Sequence, residues 1–249
     1  YSIRKNINLY GNYSTHFETP TLNELSNNPD PSSSGGFNPG LNPQYAKNVE
    51  MGLKGFFNEN LFFEMTAFKI DALDEIIPFE LPDLPGRTFY RNAGTSERKG
   101  FECGLKIRLS KGLQLSMAYT YSDFSYGEYQ TKSGVFDGNF LPAIPKKLVY
   151  GELSYFHISG IYGIIQVQYI GDLFADDANT VKDDAYQLVH MRLGYKKNYS
   201  SLLIEPFIGL NNLLNTSYNS NIRMNAWGGR YFEPGLGFNI YGGVSIRFE

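Results

Sequence analysis

Residues 101–122 decide the fold, and they read FECGLKIRLSKGLQLSMAYTYS. From Phe101 to Leu109 every second side chain is apolar or a cysteine, and those between are polar, charged or glycine. A repeat of two places alternate side chains on opposite faces, which is the geometry of a β-strand. The turn 110–112 interrupts the pattern, which resumes at Leu113. The stretch therefore predicts a hairpin with one apolar face.

The same alternation extends along the whole chain and predicts about ten strands. The predicted strands are 5–17, 46–57, 61–77, 88–109, 113–126, 146–156, 161–174, 185–197, 202–213 and 238–248. They have at least the roughly 9–11 residues that a tilted strand needs to cross a bilayer. Strands of soluble proteins are commonly nearer 5–6 residues, so their length favours a membrane barrel over a soluble β-sandwich with an aromatic core.

The connections between these strands alternate in length. Short turns are predicted at 57–60, 110–112, 157–160 and 198–201, and long loops at 18–45, 78–87, 127–145, 175–184 and 214–237. Short and long connections then fall on opposite rims. Bacterial outer-membrane barrels have this asymmetry, with short periplasmic turns and long extracellular loops.

The two faces of the predicted strands differ in charge. Uncharged mid-strand sets are Val49/Met51/Leu53, Gly163/Ile165/Val167, Val189/Met191/Leu193, Ile204/Pro206/Ile208 and Val244/Ile246/Phe248. Because a Lys or Arg at the bilayer midplane costs about 2–4 kcal/mol, these sets are predicted to face lipid. The opposite faces carry polar and charged residues, as a lumen does.

Composition excludes several classes of protein. The 249 residues include 22 Lys and Arg against 25 Asp and Glu, a net charge of −3, which argues against a nucleic-acid binder. A single cysteine, Cys103, excludes a disulfide scaffold and a cysteine-based zinc site. Mean hydropathy is −0.32, and no apolar run of about 18 residues exists. The start at Tyr1 is interpreted as an internal fragment of a longer polypeptide.

No pattern in the sequence predicts catalysis, a cofactor or a bound metal. The three histidines fall in different parts of the strand map, and Gly-x-Ser-x-Gly, phosphate-loop and dinucleotide motifs are absent. Four loop carboxylates, Asp176, Asp177, Asp183 and Asp184, match no calcium-loop spacing and are interpreted as a solvated loop.

A series of short motifs resembles the C-terminal part of the TonB-dependent outer-membrane receptors. STHFETPTLNEL at 14–25 is similar to the family's Ser-Phe-x-x-Pro-Thr-x-x-Glu-Leu, and NPGLNPQ at 38–44 with NVEMGLKG at 48–55 to Asn-Pro-x-Leu-x-Pro-Glu and Glu-x-Gly-x-Lys. Further matches, in the family's order, are NAG at 92–94, GFE at 100–102, LPAIPK at 141–146, DDANT at 176–180, GLNNLLN at 209–215 and YGGVSIRF at 241–248. Two departures are Gln44 in place of Glu, and Glu249 after the usual terminal aromatic.

The resemblance implies an all-β, antiparallel transmembrane barrel, of which residues 1–249 are the last ten or so of 22 strands. A signal peptide, the plug domain and the TonB-binding segment would lie outside the chain. It further implies an outer-membrane receptor of Gram-negative type that takes up a scarce chelate, above all a ferric siderophore, energised through the TonB complex. The implied partners are the chelate, membrane lipid, the receptor's own plug domain and TonB. The alternative is a free-standing small barrel that acts as a narrow pore or anchor; with ten strands it would leave little room for a large chelate.

Two loops carry candidate ligand-binding residues. These are Arg87, Tyr90 and Arg91 in loop 78–91 and Arg223, Asn225, Trp227 and Arg230 in loop 214–237. Arginine forks beside aromatic rings suit anionic, planar ligands such as ferric carboxylate or catecholate chelates. The alternative is that these side chains hold the loops together or face lipid headgroups.

A second set of candidates lies on the predicted lumen face. These residues are Glu50, Glu102, Arg108, His190, Arg192, Glu205 and Arg247. They are predicted to contact a plug domain through ion pairs. Pairing with one another across neighbouring strands is the alternative.

Overall fold

The computed structural model describes residues 1–30, 36–131 and 134–248, and most of them are in β-strands. In chain order the strands are β1 (Ser2–Arg4), β2 (Ile7–Glu18), β3 (Gln44–Asn58), β4 (Leu61–Leu73), β5 (Ile76–Leu81), β6 (Leu84–Asn92), β7 (Thr95–Ser110), β8 (Leu113–Tyr126), β9 (Gln130–Thr131), β10 (Gly134–Val135), β11 (Lys147–Phe156), β12 (Ile161–Ile170), β13 (Leu173–Phe174), β14 (Lys182–Asp183), β15 (Tyr186–Tyr195), β16 (Lys197–Tyr199), β17 (Leu202–Asn211), β18 (Asn219–Ile222), β19 (Phe232–Pro234) and β20 (Asn239–Phe248). The described helices are α1 (Leu22–Ser26) and a short 3-10 turn at Trp227–Gly229.

Ten long strands form one antiparallel sheet, called the wall below. They are β2, β3, β4, β7, β8, β11, β12, β15, β17 and β20, and each pairs with the next along the chain. The short β1 pairs with β2, and β16 extends the pairing beside β17. The wall is not closed into a barrel in this chain. The prediction of an all-β, ten-stranded wall is confirmed, as an open sheet.

Three predicted strands are longer than the strands of the wall. The predicted strand 161–174 ends at Ile170, and Leu173–Phe174 is the separate short strand β13. The predicted strand 61–77 ends at Leu73, and the predicted strand 88–109 is two strands, β6 and β7. The predicted loop 78–87 therefore lies within a β5–β6 hairpin beyond the wall. The break falls at Asp74, whose φ of 57° turns the chain out of the sheet. Alternation continues on both sides of that turn, so period alone could not detect the break.

The predicted alternation of short and long connections is confirmed. The short connections are 59–60, 111–112, 157–160 and 200–201, and the long ones are 19–43, 74–94, 127–146, 171–185 and 212–238. At the second short turn Gly112 has a φ of +81°, and a Cβ there would stand 2.1 Å from the carbonyl oxygen of Phe156. This tight turn therefore needs glycine.

The first long loop contains the helix α1, and the family-like motif at 14–25 supplies the residues that start this helix. Thr21 caps the helix: its Oγ1 accepts from the amide of Glu24 at 3.4 Å. The Glu24 carboxylate in turn accepts from the amide of Thr21 at 2.7 Å. This reciprocal pair is a capping box, so the Pro-Thr-x-x-Glu-Leu pattern has a direct physical role in starting the helix.

The wall has one polar and one apolar face. Residues opposite one another in the ladders share a face, and the ladders link Glu102 to Thr66 and Thr120 and Arg192 to Gly209. All seven predicted lumen residues fall on the same face, called the polar face below. The other, called the apolar face, exposes large side chains such as Ile165 and Val244. That exposure fits contact with lipid.

Charged residues also occur at the loop end of the apolar face. There Lys69 contacts Asp71 at 3.0 Å and Glu97 at 2.8 Å. Glu97 also pairs with Lys99. The mid-strand sets predicted to face lipid contain none of these residues. Charge on this face is therefore balanced locally and placed toward the rim.

The buried core lies at the loop end of the molecule. Its central cluster comprises Ile77, Ala93, Tyr126, Tyr129 and Leu141, with Phe124, Phe136 and Ile144 packed against it. These residues come from strand ends and from the loops. Among the described residues, no helix is long and apolar enough to cross a membrane.

Candidate functional site

Four long connections meet at the carboxylate of Asp177. Tyr126 Oη donates to its Oδ1 at 2.8 Å and Tyr129 Oη to its Oδ2 at 3.1 Å. Arg91 contacts Oδ2 at 3.2 Å, and the Asp177 side chain is only 3% exposed. A buried carboxylate is stable when it is paired and hydrogen-bonded in this way. We call Asp177 with these partners and Asn225 the loop hub.

Asn225 brings the last long loop into the hub. Its amide nitrogen donates to Asp177 Oδ1 at 3.0 Å and to the carbonyl of Pro78 at 3.2 Å. Its amide oxygen accepts from the Asp177 backbone nitrogen at 3.0 Å. Asn139 adds a bond to the Asp177 carbonyl at 2.8 Å. The hub therefore joins connections 74–94, 127–146, 171–185 and 212–238.

Burial keeps the phenol of Tyr129, the hub tyrosine that lies in a loop, protonated. Desolvation and the adjacent Asp177 raise the pKa of Tyr129 above its ordinary value. The phenol is thus a hydrogen-bond donor well above neutral pH. Arg91 lies over the rings of Phe79 at 4.6 Å and Tyr129 at 5.6 Å, measured to the ring centroids, so its charge is held by aromatic faces as well as by Asp177.

The other predicted loop carboxylates serve local structure. Asp176 accepts from the Thr180 hydroxyl and amide and from the Val181 amide, which closes a tight loop. Asp183 accepts from Asn219 at 2.6 Å. In the described parts of the chain no group of three or more His, Cys, Asp and Glu is placed to hold a metal. The interpretation of this segment as a solvated loop was wrong for Asp176 and Asp177, which are buried.

A cavity of about 750 Å³, called the loop cavity, opens beside the hub. Its wall includes Phe79, Glu80, Arg91, Asp177, Asn225 and Trp227. The volume lies in the range of small-molecule sites, and a mainly apolar lining with a few polar groups is typical of them. Three of the seven predicted ligand residues, Arg91, Asn225 and Trp227, therefore line one space.

The other four predicted ligand residues contact neighbouring loop segments. Arg87 Nε donates to Asn27 at 3.3 Å, and the Tyr90 carbonyl accepts from Asn38. Arg223 pairs with Glu233 at 2.8 Å and Arg230 with Glu80 at 2.9 Å. These contacts are those of the alternative, that the side chains hold the loops together. A role in ligand contact stays a prediction for all seven.

Sequence reasoning missed the groups that organise the site. Tyr126 and Tyr129 passed as ordinary aromatic residues, and Glu80 was not singled out although it is largely buried beside Arg230. Asp177 was noticed as part of a motif, and that motif was the available signal. The partners of the Asp177 carboxylate lie 48 to 86 residues away along the chain, which no local pattern reveals.

The predicted lumen residues occupy the polar face in three groups. Arg192 contacts Glu205 at 3.4 Å and Tyr162 Oη at 3.1 Å, and His190 contacts Asn211 at 3.3 Å. These contacts are the cross-strand pairing that was the alternative. Glu50 and Glu102 line a second cavity of about 570 Å³. Arg108 and Arg247 lie exposed toward the short-turn end of the same face. Contact with a plug domain stays a prediction.

The chain resembles known proteins in sequence and in fold. Residues 1–213 match the family described as TonB dependent receptor-like, beta-barrel. The iron-regulated outer membrane virulence protein of Vibrio cholerae is 28% identical over 187 residues, covering 70% of this chain and 28% of that protein. The ferrioxamine B receptor of Salmonella typhimurium is 28% identical over 184 residues, covering 72% and 25%. The chain therefore spans less than a third of the length of these relatives.

Solved structures give the same fold. The ferric-catecholate import receptor Fiu of E. coli K12, in its closed form, superposes with a TM-score of 0.71 at 20% identity, covering 99% of this chain and 33% of that one. The copper transporter OprC superposes with a TM-score of 0.75 at 16% identity, covering 99% and 37%. At these identities the likeness concerns the fold. It supports the prediction that the ten strands are part of a larger barrel.

Proposed function

Because the chain belongs to the TonB-dependent receptor β-barrel family, we propose that it forms the C-terminal wall and part of the outer binding surface of a receptor that takes up a ferric chelate. Such a receptor lies in the outer membrane, as its relatives do. Relatives with names that refer to iron or to ferrioxamine B support the substrate class. The family is one of transport receptors, and we propose no enzymatic activity for the chain.

The loop cavity is the observation that carries this proposal. It lies at the end of the wall where the long connections converge, and Arg91, Asn225 and Trp227 reach it from two different loops. The Trp227 side chain is half exposed, so it is available to a ligand at no cost in opening the hub. We propose that the chelate rests on Trp227 and the ring of Phe79, beside the hub.

The polar face is proposed to seat the receptor's plug domain. Some of its charged residues form ion pairs, as Arg192 does with Glu205. Glu50 and Glu102 instead line the second cavity, which is open to a partner. TonB is the proposed energy source, acting through the plug. The alternative of a free-standing narrow pore gains no support, because the ten strands form an open sheet and the relatives are much longer proteins.

The test is uptake by cells that carry the full-length receptor and lack other ferric-chelate receptors. Radiolabelled ferric chelates are bound to cells at low temperature and then followed into the cell with and without TonB. We expect binding in both strains and accumulation only with TonB. If no ferric chelate binds, the proposed substrate class is wrong.

A pair of variants tests the loop cavity in the same assay. Trp227→Ala removes an exposed ring from the cavity, and we expect chelate binding to weaken at least about tenfold, as for an aromatic contact at a binding centre. Leu236→Ala is the matched control in the same loop, since it removes an exposed apolar side chain that does not line the cavity. Equal binding by the wild type and Trp227→Ala would remove the cavity from the proposal.

A further inference from the structure

The described lining of the loop cavity is acidic. Asp30, Glu80, Asp176 and Asp177 are part of it, against the single cation Arg91. Asp176 is held by hydroxyl and amide donors, which leave its charge uncompensated. The loop sequences are rich in arginine, but the described lining of this cavity is negatively charged.

The nearby arginines are already bound to carboxylates. Arg91 contacts Asp177 at 3.2 Å, and Arg230 contacts Glu80 at 2.9 Å. The Glu80 and Asp177 side chains are only 8% and 3% exposed. An anionic ligand that captured either guanidinium would leave a buried carboxylate without its cation, which is strongly unfavourable. These arginine forks are not available to a ligand without breaking the loop contacts.

From these contacts we infer that the loop cavity selects ferric chelates that are neutral or positively charged, and disfavours polyanionic ones such as triscatecholates. The inference rests on the proposed function and specifies its substrate class. Phe79, Trp227 and Phe136 supply apolar surface for the organic part of the chelate. Arg230 and Arg91 offset the charges of Glu80 and Asp177. Asp176, which is held by hydroxyl and amide donors, therefore gives the field that the chelate enters its negative sign.

The test compares chelates that share one iron-binding core and differ in peripheral charge. A ferric trihydroxamate with a free amine is positive, its N-acetyl form is neutral and its N-succinyl form is negative; a ferric triscatecholate adds a strongly negative probe. Affinity is measured on cells with the full-length receptor, without TonB. We expect affinity to fall from the positive to the negative form, by about twofold for each unit of charge or more.

Charge variants separate a field effect from a direct contact. Glu80→Gln keeps an acceptor for the amides of Gly86 and Trp227 and removes one negative charge. It should lower the ratio of positive to negative chelate affinity about twofold, since it removes one carboxylate and leaves the others in the lining. Arg230→Gln should raise the ratio by a similar factor. The double variant should return it to the wild-type value, because the net charge is then unchanged.

Several outcomes would overturn the inference. If the negative chelate binds best, or if Arg230→Gln and the double variant both abolish its binding, Arg230 is a direct ligand for anions and the cavity selects the opposite charge. Glu97→Gln, on the apolar face of the wall, is the control and should leave the ratio unchanged. Absence of binding by every chelate would instead contradict the proposed function, so the two failures are distinguishable.

Discussion

Large apolar side chains are exposed on the wall and buried in the loop hub. On the wall, Ile165 is 39% exposed and Val244 is 61% exposed, whereas Tyr126 and Tyr129 beneath the loops are each 2% exposed. Hydrophobic side chains exposed in rows are stable only against an apolar medium. The comparison indicates that lipid supplies the burial for the wall, while the loops carry a conventional core of their own.

The wall and the loops also differ in where their polar groups find hydrogen-bond partners. In the wall, the backbone is satisfied by regular ladders between neighbouring strands. In the loops, one buried carboxylate, Asp177, takes its partners from distant segments. A substitution in the wall should therefore have a local effect, whose size depends on how far the residue lies within the lipid. A defect at Asp177 should loosen several loops together.

Asp177→Ala gives the largest expected effect. It leaves Arg91 without its carboxylate and two buried phenols without their acceptor, and we expect loop closure to lose about 3–5 kcal/mol. Amide hydrogen exchange on the full-length receptor should speed up in 127–146 and 212–238 together. Asp184→Ala is the control, since the Asp184 side chain is 93% exposed. Faster exchange confined to 171–185 would contradict a shared hub.

Ile165→Arg tests the wall. Ile165 lies at the middle of β12 on the apolar face, and we expect a loss of about 2–4 kcal/mol in the free energy of folding into lipid. Urea titration of the full-length receptor in vesicles measures it. The control is Gln166→Arg, one residue along on the polar face beside Glu152, with little expected change. Equal losses would mean that the face assignment is wrong.

The wall was predictable from sequence and the hub was not, for a physical reason. A period of two is imposed on every wall residue by its two environments, so Ile165 and Gln166 could be assigned to faces without knowing their neighbours. The hairpin β5–β6 keeps the same period although it lies beyond the wall, and this produced two of the overlong strands. The partners of Asp177 are set by how loops meet in space, and its charge gave no sign of burial.

Gly52→Ala gives the smallest effect and probes the polar face of the wall. The ring of Tyr10 lies across Gly52, where a Cβ would stand 2.3 Å from ring atoms, and Tyr10 Oη contacts Thr66 Oγ1 at 2.8 Å. Alanine must displace the ring, at a cost of about 1 kcal/mol or more. Gly151→Ala, where a Cβ meets nothing within 4 Å, should instead stabilise the strand by about 0.5 kcal/mol, because it removes backbone freedom from the unfolded chain. Urea midpoints of the two variants that move in opposite directions would show that the Tyr10 ring is packed in place on the polar face. Midpoints that move together would mean that the Tyr10 ring turns aside freely and does not shape the second cavity, which Glu50 lines.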